Sequence, residues 1–120
     1  YTPLLQSREA FAAECYALMQ SRCYRPKTIV EYDRKAFIAK ENKIRVTFDS
    51  RIVATESNFD LFDERLNMTP VLALGAVVME VKYNGFLLDY IRRMINTVDQ
   101  SELSVSKYML ARQNGYRYRL

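Results

Sequence analysis

Histidine is absent from the 120 residues of this chain. Its absence removes Ser-His-Asp hydrolysis, Cys-His nucleophilic catalysis, histidine-ligated zinc and proton shuttling by imidazole. Cysteine is scarce: Cys15 and Cys23 form neither a CxxC pair nor a metal-ligand spacing, and read as reduced, half-buried thiols of a cytoplasmic protein. Long apolar runs are missing as well. The longest candidate, Val71 to Met79, is interrupted by Gly75 and runs into Glu80 and Lys82, so no bilayer crossing and no membrane contact is expected. The first twenty residues lack the basic head, apolar stretch and small-residue cleavage pattern of a signal peptide. Tyr1 reads as an internal residue of a longer protein. There is no repeat, no low-complexity segment and no dense Lys/Arg run.

What is present is the balance of one globular domain, with 49% apolar and 27% charged residues. The net charge of +4 tilts the expectation towards an anionic partner. It is too small to be a nucleic-acid footprint by itself. Nine tyrosines and six phenylalanines could stack on bases, but most are interleaved with aliphatic residues at core spacing, so no nucleic-acid partner is expected.

The pattern predicts an α+β fold. Ser7 is placed to cap a first helix, with Glu9 in its first turn and Phe11, Cys15, Leu18 and Met19 as its apolar stripe. Pro26 places its end near Arg22. The period then changes from about 3.6 to 2. A strand is expected from about Lys27 to Ala39, a polar turn at Lys40 to Asn42, and a second strand carrying Ile44, Val46 and Phe48. After a turn at Asp49 and Ser50, a short strand covers Ile52 to Thr55. Ser57 to Pro70 reads as a loop with a short helical turn. A further strand runs from about Ala76 to Tyr83 and is broken by Asn84-Gly85. An amphipathic helix follows from about Phe86 to Thr97, and a last helix from about Ser106 ends before Gly115. The alternating tail Tyr116 to Arg119 reads either as a terminal strand or as a solvated end.

Strand residues two apart share a face. Tyr32 therefore goes with Arg34, Lys43 with Arg45, and Glu80 with Lys82, opposite apolar sets such as Ile44/Val46/Phe48 and Val77/Met79/Val81/Tyr83. Solvation accounts for any one such face, since antiparallel sheets commonly wet one side. If the sheet curls into a barrel, however, the charges converge on a lumen and repel one another unless an anion fills it. Arginine offers planar forks for phosphate oxygens, lysine offers point charges, and a lone carboxylate among them suits a divalent cation.

Several segments, in order, resemble the later motifs of VTC-type polyphosphate polymerase domains, of the triphosphate tunnel metalloenzyme superfamily. They are Arg25-Pro26-Lys27 leading into Val30-Glu31-Tyr32-Asp33-Arg34-Lys35-Ala36-Phe37, Ile44-Arg45-Val46-Thr47-Phe48-Asp49, Met79-Glu80-Val81-Lys82-Tyr83, and Ser106-Lys107-Tyr108. The match covers most of Tyr24 to Arg112. The resemblance implies an antiparallel β-barrel enclosing a tunnel, with flanking helices. It implies that Tyr32, Arg34, Arg45, Lys82 and Lys107 contact phosphate, and that Glu80 holds a divalent cation, manganese or magnesium. No residue is assigned a catalytic role. The partner it implies is a nucleoside triphosphate or polyphosphate.

Domains of that family begin with strands carrying further tunnel residues, and none precede Tyr1. The chain therefore reads as the C-terminal half of such a domain, inactive on its own. A half barrel exposes strand edges, so a homodimer or swapped assembly is expected. The reaction implied for a complete domain is transfer of the terminal phosphoryl group of a nucleoside triphosphate to a growing polyphosphate, which rests on positioning and charge stabilisation and needs no histidine. The alternative is a non-catalytic module that binds polyphosphate or inositol phosphates.

Overall fold

The computed structural model describes residues 2–98 and 104–117. Two helices, α1 (Thr2–Gln6) and α2 (Ala10–Ser21), precede a four-stranded antiparallel sheet. Its strands are β1 (Ile29–Ala39), β2 (Ile44–Thr55), β3 (Thr69–Pro70) and β4 (Val78–Lys82). Helices α3 (Asp89–Ile95) and α4 (Lys107–Arg117) follow. The α+β class is as expected. Strand β2 is the centre: β1 runs along one side of it, while β4 and β3 share the other. The sheet is open, and neither β1 nor β4 has a strand on its outer edge among the described residues.

The register sorts the side chains into two faces. Val46 stands between Phe37 and Val81, and Phe48 between Lys35 and Met79. This apolar face includes Ile44, which is 1% exposed, and an edge-to-face contact between Phe37 and Phe48 with centroids 6.0 Å apart. Helix α3 lies over it, contributing buried Ile91, with Tyr90, Met94 and Val98 along the rim. On the other face Arg34 pairs with Asp49, Thr47 with Ala36 and Glu80, and Arg45 with Ile38 and Lys82. Helix α4 crosses this second face at one end, where Ala111 is 2% exposed.

A bulge holds the second face together. The pairing steps from Asp33↔Ser50 to Glu31↔Val53, so Arg51 and Ile52 stand opposite the single residue Tyr32. Arg51 takes a left-handed backbone, φ 49°, and is tied across the strands to Asp33 by two hydrogen bonds of 2.5 and 2.8 Å. The extra residue reverses the alternation, so that Thr47 and Asp49 before it and Ile52 and Ala54 after it are all buried.

Several sequence expectations are corrected. Asp49 and Ser50 are not a turn: Ile44–Thr55 is one strand, and the broken alternation that suggested a turn is the bulge. Helix α2 forms, but Glu9 stands at its N-cap position without a side-chain cap, and Ser7 Oγ instead accepts a hydrogen bond from the Glu9 N–H at 3.2 Å. Its expected apolar stripe is not buried, Phe11 being 73% exposed. The helix ends at Ser21 with Arg22 as its C-cap, as expected, but it stops through left-handed Cys23, whose N–H bonds to Gln20 O, before Pro26 is reached. Cys23 is exposed, not half-buried, and neither thiol is in a disulfide.

The 57–70 connection has no helical turn; asparagine and aspartate side chains shape it, with Asn58 and Asp63 each accepting from a backbone N–H two residues on. Its last two residues form β3, which the sequence reading treated as loop. Strand β4 and helix α3 are each shorter at both ends than expected. Helix α4 does not stop before Gly115. It continues through Arg117, so the start of the tail is helical; Tyr118 and Arg119 lie outside the described residues. No helix among the described residues is long and apolar enough to cross a membrane.

Candidate functional site

The centre of the charged face is Asp49, which the structure buries completely. Arg34 reaches it from the neighbouring strand with two parallel hydrogen bonds, Nε to Oδ1 at 2.6 Å and Nη2 to Oδ2 at 2.7 Å. Lys107 reaches the same carboxylate from the first turn of α4, Nζ to Oδ2 at 2.6 Å. Local sequence explains the approach of this helix. Lys107, Ala111 and Gly115 recur at the spacing that places them on one face, and two of them are small. Arg112 fixes the same helix to Glu56 at 2.6 Å, and Asn114 Nδ2 donates to Pro70 O at 2.8 Å.

Tyr32 completes the cluster. The Arg34 guanidinium carbon lies 5.1 Å from the ring centroid and the Lys107 ammonium 4.9 Å, so two cations share one aromatic ring. The hydrogen bonds from Arg34, with help from Lys107, hold the Asp49 carboxyl down at about 2, against the opposing effect of burial. Arg34 is pushed the other way by the same partner, and both groups stay ionised across the biological range.

Along the strands from this cluster come Glu80 and Lys82. They pair at 2.9 Å, and the Glu80 carboxyl is held below its ordinary value, first by the hydrogen bond from Lys82, with smaller contributions from the charges of Lys82, Lys107 and Arg34. Thr47 stands opposite Glu80 in the register, and its Oγ1 is buried without a hydrogen-bond partner among the described residues. Arg45, level with Lys82, is exposed and makes no ion pair among the described residues. The face thus carries Arg34, Arg45, Lys82 and Lys107 against two carboxylates, an arrangement suited to an anion with several charges.

All six residues singled out from the sequence lie on this one face. Tyr32, Arg34 and Lys107 form one cluster; Glu80 and Lys82 form a second; Arg45 is beside Lys82. Lys43, grouped with Arg45 by alternation, lies in the short 3-10 turn Glu41–Lys43, just outside the strand. Alternation puts Asp49 on the strand face of Lys43, Arg45 and Thr47, but it was not taken as a site residue, because the bulge that follows it reads as a turn. The pair Glu56–Arg112 escaped the sequence reading, because 56 residues separate the partners.

A single carboxylate does not make an all-protein metal cage, and no group of three or more acidic, cysteine or histidine side chains that could hold a metal is found among the described residues. Divalent cations that serve phosphate chemistry are commonly held by one or two carboxylates together with the phosphate oxygens. Glu80, ionised, half-exposed and beside the orphaned hydroxyl of Thr47, fits that arrangement.

The sequence model of the VTC domain family matches residues 4–115. No curated protein and no solved structure matches the chain.

Proposed function

The chain belongs to the VTC domain family, which is consistent with a polyphosphate-related domain, and from that premise we propose that its charged sheet face binds polyphosphate and the triphosphate of a nucleotide. The observation that carries the reading is the convergence of Arg34, Arg45, Lys82 and Lys107 on one face of one sheet. Simple solvation of a wet face accounts poorly for Asp49, since an ionised carboxylate is not removed from water without strong partners. That carboxylate fixes Arg34 and Lys107 before any ligand arrives. With Nε and one Nη2 proton engaged, Arg34 keeps its remaining N–H donors for phosphate oxygens, and Lys107 keeps the donors not used by Asp49. Preorganised donors of this kind lose little freedom when an anion binds.

In this reading the face is one wall of a tunnel, and the open edges of β1 and β4 are where further strands, from the same polypeptide or from a second copy, complete it. Glu80 would hold a divalent cation, manganese or magnesium, which would offset the charge of the phosphates. In a completed domain Arg34, Arg45, Lys82 and Lys107 would align the chain of phosphates and stabilise the charge that develops on a transferred phosphoryl group. Tyr32 would support Arg34 and Lys107 through its ring.

The test is calorimetric titration with tripolyphosphate at two salt concentrations, with and without manganese. Saturable, salt-sensitive binding is expected, weakened about ten-fold in Arg45→Ala, as suits the loss of one charged contact of about 1.4 kcal/mol. Arg93→Ala, on α3 over the opposite face, should bind as the unaltered protein does. Glu80→Gln should remove the contribution of manganese. Equal behaviour of Arg45→Ala and Arg93→Ala would sink the proposal.

A further inference from the structure

Compensation of charge changes along the face. At the α4 end, Arg34 and Lys107 are neutralised in part by Asp49. In the middle, Glu80 offsets Lys82. At the far end Arg45, Lys40 and Lys43 have no ion pair among the described residues, and there the face opens into a cleft of about 440 Å³. The cleft is lined by Lys40, Lys43, Arg45 and Lys82 with Ile38 and Ala39, and no carboxylate among the described residues is part of its wall. Glu41 lies between Lys40 and Lys43 in the β1–β2 turn, so the turn and Arg45 together keep two net positive charges, away from the buried cluster.

The turn that carries these lysines is held in place. Asn42 and Lys43 both adopt left-handed backbone, φ 52° and 48°. Asn42 O accepts from the Asn84 N–H at 2.8 Å, and Asn42 Nδ2 donates to Phe86 O at 2.9 Å. The turn is pinned by main chain and side chain to the segment after β4, which sets its lysines beside Arg45 and Lys82.

We propose that this cleft is a second polyanion subsite, in which Lys40 and Lys43 take phosphoryl units of a chain whose near end lies along Arg34, Lys107 and Lys82. The inference rests on the phosphate reading above and adds to it the ligand's length and direction. Strand geometry sets the scale: Asp49 and Arg45 are four residues apart, about 13 Å at about 3.3 Å per residue, with the lysines of the turn further along. A chain long enough to pass beyond Arg45 gains the turn's charges, and tripolyphosphate, lying between the cluster and Arg45, does not.

The experiment compares tripolyphosphate, long-chain polyphosphate and a single-stranded oligonucleotide on the whole chain. The principal variant is Lys40→Gln with Lys43→Asn; asparagine tolerates the left-handed backbone at position 43. Its affinity for long-chain polyphosphate should fall about ten-fold, the effect of two exposed charges each contributing under about 1 kcal/mol. Its slope of log affinity against log salt should shrink by about two, and tripolyphosphate should bind as before. Lys40→Arg with Lys43→Arg should keep long-chain binding, which separates loss of charge from a damaged turn. An equal loss for short and long anions, or no loss for either, overturns the subsite while leaving the phosphate reading standing. Failure of the unaltered protein to bind either polyphosphate overturns both, and preference for the oligonucleotide replaces the ligand class.

Discussion

Gly115 lies inside α4, and a side chain there would meet the Glu56 carboxylate. An added Cβ would stand 2.7 Å from Oε2, 2.8 Å from Cδ and 3.0 Å from Oε1. Two effects of Gly115→Ala oppose one another. Alanine is a better helix former than glycine by about 0.8–1 kcal/mol within a helix. Against this, the carboxylate has to leave a position where it accepts a 2.6 Å hydrogen bond from Arg112, with both side chains largely buried at 19% and 15% exposure. A charge-assisted hydrogen bond contributes about 1.5–3 kcal/mol. Glutamate is flexible and its carboxylate keeps part of that by swinging aside, so we expect a net destabilisation of about 1 kcal/mol, in the lower half of the difference between these ranges, which runs from about 0.5 to about 2.2 kcal/mol.

The sign is tested in a second background. In Glu56→Ala the obstacle is gone, and only the propensity remains, so Gly115→Ala should there stabilise by about 1 kcal/mol. The two backgrounds thus differ by about 2 kcal/mol, several times the departure from additivity expected of unrelated sites. Urea unfolding of the four proteins, followed by far-ultraviolet circular dichroism, measures the coupling. An equal effect of Gly115→Ala in both backgrounds would refute the close approach of α4 to Glu56 and with it the reason for a glycine at this position.

Two further outcomes follow from the core and the buried carboxylate. The Asp49 carboxyl is lowered from 3.8 to about 2, so its contribution to stability is complete above the ordinary value and is lost as pH falls through about 2. The loss amounts to about 2 kcal/mol. Urea midpoints measured from about pH 5 down to about 2 should show it, and Asp49→Asn should lack that component; parallel curves for the two proteins would contradict it. Ile44→Ala should cost about 2–5 kcal/mol, because the side chain is 1% exposed on the apolar face, while Phe11→Ala should stay within about 0.5 kcal/mol. Comparable losses at the two positions would show that α2 packs on a core after all.

The legible part of this fold was its two-residue periodicity. Arg34, Arg45, Glu80 and Lys82 were placed on common strand faces by alternation alone, and the register brings those faces together. Alternation failed where the chain adds a residue. At Arg51 the pattern breaks as it would at a turn, and only the tertiary pairing distinguishes a bulge, so Asp49 was assigned to a turn with Ser50 instead of to the centre of a cluster. Helical periodicity misled in the other direction. Phe11, Cys15, Leu18 and Met19 have the spacing of a buried stripe, but spacing states only which residues share a side, and no residue of α2 is buried. Gly115 was read as a helix stop because glycine usually serves there; here the residue is chosen by a carboxylate that lies far away in sequence.

The arrangement of charges on the second face separates two tasks that one sheet performs. Cations packed under a helix need a partner inside the protein, or the helix would be driven off by their repulsion and by their lost hydration. Asp49 supplies that partner for Arg34 and Lys107, which is why α4 can cover this end of the face. Cations at the β1–β2 turn are under no such constraint, because water and counter-ions reach them. Among the described residues they are left without a carboxylate in the cleft wall, and a polyanion that displaces those counter-ions gains their release. The bulge at Arg51 makes the combination possible within a single strand. It brings Ile52 and Ala54 to the same face as Asp49, so that apolar contact with α4 begins where the charged cluster ends. Without the extra residue, Arg51 and Val53 would follow Asp49 on that face, and a further cation would stand next to the two that Asp49 already neutralises only in part.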